Sequence, residues 1–420
     1  MNNITSVAVI GAGPYGLSIA AHLRAKGIAF RIFGNPMDIW KHRMPKGMFL
    51  KSDGFASNLY DPGSTFTLKE YCRQKGVRYA DQGIPVRLET FIAYGLEFQK
   101  KFVPDLEECQ VVAIEPLERG FAVRLSDGES FVAGRVVVAV GITYFESMPE
   151  GLRGLPQEFV THSSKHSELG KFKGRDVTIF GAGSSAIDIA SLLGQEASTI
   201  RMVTRGPSIK FHVPTKPLLP PFLERIRKPR SGLGPGWRSR LCTDAPLAFR
   251  LMPGDFRRYI VRRHLGPSPG WFVKATDLER VQMHTFTRLR QAEIKEGRVH
   301  LSLTQGDGAE CGVVTDHVIA ATGYKPDLRR LPFLDERLLA SIETVANAPV
   351  LSSTFESSVH GLYFVGLASA NTFGPMLRFA YGAGFAARRL SAHLRRVGCA
   401  DNRKPEPGFA AHRSRSLKHS

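Results

Sequence analysis

The stretch Val7-Ala8-Val9-Ile10-Gly11-Ala12-Gly13-Pro14-Tyr15-Gly16 decides the reading of this chain. Its first four residues form a short apolar run, the pattern of a strand buried on both faces of a parallel sheet. Gly11, Gly13 and Gly16 then complete a G-x-G-x-x-G loop. The first glycine of such a loop permits the tight turn. The second lets a pyrophosphate approach the backbone, and the third lets helix and strand pack closely. Leu17 to Lys26 carries apolar residues at helical spacing and stops at Gly27, and Ala29 to Phe33 reads as the next strand. Strand, loop, helix and strand together have the length of a βαβ crossover, about 30 residues. The helix points its free N–H groups and positive dipole end at the phosphates. Such sites commonly end the second strand in Asp or Glu, which binds the ribose hydroxyls. Here Gly34 follows Phe33, so the ribose role falls to a close backbone approach or to Asn35, with Asp38 as the weaker candidate.

The pattern recurs 170 residues later. Val177 to Phe180 reads as a strand, Gly181-Ala182-Gly183-Ser184-Ser185-Ala186 is a G-x-G-x-x-A loop with Asp188 close behind, Ser184 to Leu193 is a helix, and Thr199 to Val203 is a strand. This second strand also ends without a carboxylate, in Thr204-Arg205, with Arg201 earlier on it. An acid there would repel a 2′-phosphate and Arg205 attracts one, so NADPH is expected over NADH, with NADH still open. Two dinucleotide folds in one chain are more specific than either loop. They allow hydride to pass from a nicotinamide to a second redox group.

Between the two units, 34–102 is irregular apart from a helix at Leu68 to Lys75 ended by Gly76. Gln110 to Ile114, Phe121 to Leu125 and Ser130 to Val132 read as an antiparallel meander, and Arg135 to Val140 as a further buried strand. A Pro/Gly-rich basic insertion at 206–270 holds enough aromatics to pack on the body as a lid. Strands near Val299 to Leu303 and Val313 to Ala320 lead into Ala321-Thr322-Gly323-Tyr324. A last strand, Leu362 to Val365, precedes a helix from about Pro375 to Leu394.

Composition excludes several classes. The net charge of +19 is uneven, with 13 Lys/Arg against 3 Asp/Glu in 206–270. Neither an aromatic-lined basic groove nor a nucleic-acid motif accompanies it, so no nucleic-acid partner is expected. The five cysteines, Cys72, Cys109, Cys242, Cys311 and Cys399, form no C-x-x-C pair and no metal-ligand cluster. A disulfide scaffold, a thiol relay and a metal site are therefore not expected. No unbroken run of 18 apolar residues occurs, and glycines interrupt Val7 to Leu23, so neither a membrane span nor a signal peptide is read. The expected setting is cytoplasmic, without a membrane partner, and an oligomer is left open.

With both glycine loops, Ala321-Thr322-Gly323-Tyr324-Lys325-Pro326 and Leu362-Tyr363-Phe364-Val365-Gly366 in hand, the chain resembles the class B flavoprotein monooxygenases. These include flavin-containing monooxygenases, N-hydroxylases of amines and Baeyer–Villiger enzymes. The resemblance implies an α/β fold of two Rossmann-like dinucleotide-binding domains with three-layer β-sheets. The FAD domain is discontinuous, at 1–165 and 321–398, the NAD(P)H domain spans 166–320, and 399–420 is a disordered tail. The F-x-G-x-x-x-H fingerprint survives only in part. Phe159-Val160-Thr161 lacks its glycine while His162-Ser163 resembles its end, which favours hydroxylation over Baeyer–Villiger chemistry.

The cofactor-binding residues on this reading are Gly11, Gly13, Pro14, Tyr15, Gly16, Trp40, Met44, Val112, Gly181, Gly183, Ser184, Ser185, Arg205, Thr322, Gly323, Tyr324, Gly366, Phe373 and Gly374. The resemblance places Ser57 and Asn58 where they can hydrogen-bond a flavin peroxide or NADP⁺ as catalytic groups. The helix expected from Pro375 would aim its positive end at the flavin, assisted by Arg378. His162 and His166 are candidate proton shuttles. The implied reaction uses FAD, NADPH and O₂, through a C4a-(hydro)peroxyflavin, to oxygenate a small molecule, and the basic insertion points to an anionic or electron-rich one. An NAD(P)H:acceptor reductase and a non-catalytic flavin-binding regulator are the alternatives.

Overall fold

The computed structural model describes residues 4–194, 197, 199–209, 221–264 and 270–401. The first glycine loop joins strand β1 (Ile4–Ile10) to helix α1 (Pro14–Ala25), and strand β2 (Phe30–Phe33) pairs parallel to β1. A short helix α2 (Asp38–His42) follows, then α3 (Leu68–Lys75), which Gly76 closes in the left-handed conformation at φ 65°. Helix α4 (Leu88–Phe102) falls within the stretch read as irregular. Its buried Leu88, Phe91, Tyr94, Gly95 and Phe98 do repeat at helical spacing. The density of aromatics between flanking loops hides that period.

Strands β3 (Val111–Pro116), β4 (Phe121–Leu125) and β5 (Ser130–Val138) form the meander. Ser130 to Val132 and Arg135 to Val140, expected as separate strands, are parts of the single strand β5. Its first half pairs antiparallel with β4 and its second half parallel with the strand Leu362–Phe364, while β1 runs parallel along its other edge. One strand therefore belongs to both a parallel sheet and a meander. It also brings the C-terminal part of the chain back to the first glycine loop, so this half of the fold is discontinuous in sequence.

The second sheet is wholly parallel. Strand β6 (Val160–His162), β7 (Asp176–Phe180), β8 (Thr199–Val203), β9 (Val281–His284) and a later strand, His317–Ala320, run in the order β6, His317–Ala320, β7, β8, β9. Helix α5 (Ser184–Leu193) covers one face through Ile187, Ala190 and Leu193. A meander of β10 (Arg288–Lys295), β11 (Arg298–Thr304) and β12 (Glu310–Thr315) covers the other through Val299, Leu301 and Leu303. Helix, parallel sheet and meander make three layers around an apolar core.

The expected strand Val313 to Ala320 breaks at Asp316, and the sequel is named β13 (His317–Ala320). The Asp316 carboxylate accepts from the Asp176 N–H and from Arg298 Nε, both at 2.8 Å, which turns the chain from meander into parallel sheet. The insertion folds into α6 (Pro221–Arg227), α7 (Trp237–Asp244), α8 (Pro246–Leu251) and α9 (Gly254–Arg263). Residues 210–220 and 265–269 of it lie outside the described residues.

The Tyr94 hydroxyl ties the helical segment together. Fully buried, it accepts the Leu59 N–H at 3.1 Å and lies 2.9 Å from the Phe66 carbonyl. Tyr94→Phe leaves both backbone groups unpartnered in the core, at a cost of about 1–3 kcal/mol. Thermal unfolding should show a lower Tm with unchanged far-UV circular dichroism. An unchanged Tm would mean that this hydroxyl does not hold the loop.

Candidate functional site

The two glycine loops have the same geometry. Gly11 has φ 113°, and a Cβ there would sit 2.5 Å from the Ala139 carbonyl oxygen at the end of β5. Gly181 has φ 133°, and its Cβ would lie 2.3 Å from the Ala321 carbonyl oxygen. Both positions demand glycine, for conformation and for space. At Gly16 a Cβ would meet the Gly11 carbonyl oxygen at 1.8 Å. By contrast, a Cβ on Gly13 or on Gly183 would meet nothing within 4 Å. Each middle glycine borders open space at the N-cap of α1 or α5, and no side chain caps either helix. Open space beside uncapped helical N–H groups fits a pyrophosphate.

Tyr15 joins the first loop to the C-terminal segment. Its hydroxyl lies 3.0 Å from the Leu377 carbonyl and 2.8 Å from that of Phe379, so it donates to this turn, and its ring packs against Gly366. The turn corrects an expectation, because the helix does not start at Pro375. Residues Pro375–Arg378 and Ala380–Gly382 are 3₁₀ turns broken by an extended Phe379, and the helix proper is Ala383–Asp401. Carbonyls held by Tyr15 are diverted from the i→i+4 ladder. That helix reaches Asp401, past the expected start of the tail, and 402–420 lies outside the described residues. Arg378 is likewise occupied, donating to the Val261 carbonyl at 3.0 Å.

Phe373 is fully buried in a ring cluster, 4.3 Å from Phe355 and 5.7 Å from Phe385. Gly374 has φ 99° and faces the ring of Phe249 from α8. Trp40 on α2 stands edge-on to Phe91 at 4.7 Å, and Met44 is half-buried just beyond that helix. Val112 sits exposed at a bulge in β3, three strands from β1, so the sheet does not bring it beside the first loop. At the end of β2, Gly34 (φ 120°) bonds the Glu107 carbonyl, Asn35 is exposed and Asp38 half-buried. Arg31 holds the Glu107 carboxylate at 2.6 Å.

Ser57 and Asn58 serve the loop they stand in. Ser57 is fully buried with its hydroxyl 3.0 Å from the Asp53 carbonyl and 2.8 Å from Ser52 Oγ. Asn58 Oδ1 accepts the Leu68 N–H at 2.8 Å, holding the start of α3, while Nδ2 donates to the Phe55 carbonyl at 2.9 Å. One Nδ2 hydrogen remains for any other partner.

This same segment meets the second sheet. Lys46 N–H donates to the Ser167 carbonyl at 2.8 Å, the rings of Phe49 and Phe272 lie 5.5 Å apart, and Lys51 Nζ is 3.7 Å from Asp188 on α5. Burial pushes the Asp188 carboxyl up to about 6, against the pull of Lys51, and pushes the Lys51 ammonium down. Asp188 stood out in the sequence behind the second glycine loop, but Lys51 did not, since only tertiary contact pairs positions 51 and 188.

The two connections between the sheets run side by side. Ser147 N–H bonds the Gly323 carbonyl and Lys325 N–H the Phe145 carbonyl, both within 2.9 Å. The Thr322 hydroxyl donates to the Ser147 carbonyl. His162 lies against Tyr324 and its Nε2 donates to the Gly323 carbonyl at 3.1 Å, so its Nδ1 accepts from Ser164. His317 Nδ1 donates to the Glu158 carbonyl at 2.9 Å, which leaves Nε2 to accept from Thr161. His166 Nε2 then donates to Thr161 Oγ1 at 2.6 Å. Burial lowers both expected shuttles, with His166 at about 3, so they are neutral hydrogen-bonding groups of the hinge. Thr161 stands where the fingerprint has glycine, and its hydroxyl bridges two buried imidazoles. His317 had no local signal, because its partners are 151 and 156 residues away.

At the end of β8, Arg205 is exposed beside the second loop, and Arg201 is half-buried on the strand. Ser184 and Ser185 are half-buried in the first turn of α5.

Two sheets, each with a parallel strand–loop–helix–strand unit and a glycine cradle at its helix, define a two-dinucleotide oxidoreductase fold. Residues 8–231, slightly more than half of the chain, match the pyridine nucleotide-disulphide oxidoreductase family, and the chain belongs to it. A curated relative, an uncharacterised oxidoreductase of Geobacillus kaustophilus, is 26% identical over 218 residues. The match covers 50% of this chain and 57% of that one, so the chain spans little more than half the length of this relative. Among solved structures, an ornithine N-hydroxylase of Kutzneria sp. 744, with reduced FAD, NADP⁺ and L-ornithine, has a TM-score of 0.74 at 16% identity. That likeness covers 94% of this chain and 100% of the other. A cadaverine monooxygenase of Erwinia amylovora, bound to FAD, has a TM-score of 0.72 at 18% identity and covers 100% of both chains. These likenesses establish the shared fold.

The Lys51–Asp188 contact gives a pH test. A carboxyl raised in the folded state contributes stability below its unfolded pKa and loses it as pH rises through about 6. Asp188→Asn should therefore gain in Tm relative to wild type between pH 4 and pH 7, measured by calorimetry. A difference that is flat or shrinks would show that attraction to Lys51 outweighs burial.

Proposed function

We propose that this chain is an FAD-dependent, NADPH-using monooxygenase that hydroxylates a small molecule. The observation that carries the reading is the pair of open cradles at Gly13 and Gly183 in separate sheets, together with cysteines that are all free. A pyridine nucleotide–disulphide reaction run through the protein needs two neighbouring thiols. The solved hydroxylases with FAD and NADP⁺ support the same choice.

When bound, FAD accepts a hydride from NADPH and activates O₂, so that NADPH, H⁺, O₂ and substrate give NADP⁺, water and hydroxylated substrate. The protein's contribution is binding, orientation and exclusion of water. The N–H groups of α1 around Gly13 hold the FAD pyrophosphate, and Tyr15 fixes the 377–379 turn against that loop. The α5 N-terminus at Gly183 holds the nicotinamide dinucleotide, and the exposed Arg205 suits a 2′-phosphate. Asn58, whose other groups hold its own loop, would have one Nδ2 hydrogen to offer the bound cofactor. Phe249 on Gly374, and Arg257 donating to the Asn371 carbonyl at 3.1 Å, seat the insertion over the C-terminal segment, where it shields the reaction from water.

The test is stopped-flow mixing of the photoreduced, FAD-loaded protein with O₂ in the presence of NADP⁺. A transient absorbance distinct from both reduced and oxidised flavin is expected. Direct return to the oxidised spectrum would favour an NAD(P)H:acceptor reductase, and negligible steady-state NADPH oxidation would favour a non-catalytic flavin-binding regulator.

A further inference from the structure

The basic insertion presents apolar side chains to solvent in a regular way. Each of its four helices exposes a pair at helical spacing: Phe222 and Ile226 on α6, Trp237 and Leu241 on α7, Leu247 and Leu251 on α8, Phe256 and Tyr259 on α9. Leu251 is 80% exposed and Phe222 71%. Of the 19 exposed large hydrophobic residues in the described chain, ten lie between 221 and 264. Positions three or four apart share one helix face, so these are outward faces and not frayed ends. The pairs are connected in space. Trp237 Nε1 donates to the Ile226 carbonyl at 3.0 Å, α7 and α8 meet at Ala245, and Met252 and Pro253 join α8 to α9.

The inward faces are already used. Phe249 packs on Gly374, Gly232 lies against the Tyr381 ring, and Ile260 and Val261 pack on the main core. The helices are thus seated on the body by one side and apolar on the other, an exposed patch of the kind that marks an interaction site.

Charge selects the partner. Residues 221–264 carry 11 Lys/Arg against 3 Asp/Glu. Asp244 and Asp255 are paired within the segment, to Arg240 and Arg258. A second copy of so basic a face would be repelled, which argues against self-association there. Arginines beside Trp, Tyr, Phe and Leu are the composition of an interfacial surface. There the aromatic and aliphatic groups enter the headgroup boundary while the guanidinium groups meet lipid phosphates. Arg263 lies over the Tyr259 ring at 5.2 Å, and Arg262 is exposed on the same helix. We propose that the 221–264 face docks the protein reversibly on an anionic lipid bilayer. No helix among the described residues is long and apolar enough to cross a membrane, so the contact is peripheral. It departs from the sequence expectation of no membrane partner, because the outward apolar faces of these helices appear only in the fold.

The experiment uses the full-length, FAD-loaded protein with vesicles of phosphatidylcholine alone or with 30% phosphatidylglycerol (about one headgroup charge in three,). Cosedimentation with the anionic vesicles only, weakened by salt and accompanied by a blue shift of Trp237 fluorescence, is expected. Leu251→Asp with Phe256→Asp should reduce the bound fraction by about tenfold while NADPH oxidation is unchanged. Arg262→Glu with Arg263→Glu should do the same. Equal binding to neutral vesicles, no binding at low salt, or binding that survives both double variants would overturn the proposal. So would a dimer, seen by ultracentrifugation, that the aspartate variants dissociate, or tighter binding to a polynucleotide than to the vesicles. Vesicle binding is read without turnover, so it stands or falls separately from the monooxygenase reading.

Discussion

The fold depends on two contacts in which a backbone carbonyl fills the place of a side chain. The Ala139 oxygen lies 2.5 Å from where a Cβ on Gly11 would be, and the Ala321 oxygen 2.3 Å from where one on Gly181 would be. Each contact lets a strand, its glycine loop and the neighbouring strand close up, so that the following helix begins at the sheet edge with its N–H groups uncovered. Ala139 directly follows the strand that carries the first meander, and Ala321 directly follows the strand that returns from the second. The same two carbonyls therefore fix the loops and mark where the chain crosses between sheets.

Those crossings form one hinge. Residues 145–147 lie against 323–325, clamped by Thr322, His162 and Ser164. Its histidines are buried, which lowers their pKa values, and their hydrogen bonds to carbonyl and hydroxyl neighbours fix the geometry of the crossing. Lys46 to Lys51 also contact the second sheet and α5. The relative position of the two cradles is thus held by polar groups whose partners lie more than 100 residues away.

That separation explains what was legible in sequence. Both glycine loops, α5 and β8 could be read to the residue because strand, turn and helix signals are local. The joining of two expected strands into β5, and the break at Asp316, were not readable. One depends on which neighbours pair along each edge, and the other on an aspartate whose donors come from Asp176 and Arg298. Asn58 was noticed for its chemistry, but its bonds to Phe55 and Leu68 are tertiary and give it a structural task. The Pro375 start failed for a similar reason, since Tyr15 diverts the carbonyls that a helix would need.

The central claim is that two dinucleotides occupy two independent cradles. It is tested most directly by counting bound FAD and NADP⁺ per chain in wild type, Gly13→Ala and Gly183→Ala. A Cβ at either position touches nothing in the protein, so both variants should fold with wild-type circular dichroism. Gly13→Ala should lose FAD, and Gly183→Ala should keep FAD and lose NADP⁺. Retention of both cofactors in both variants would contradict the account.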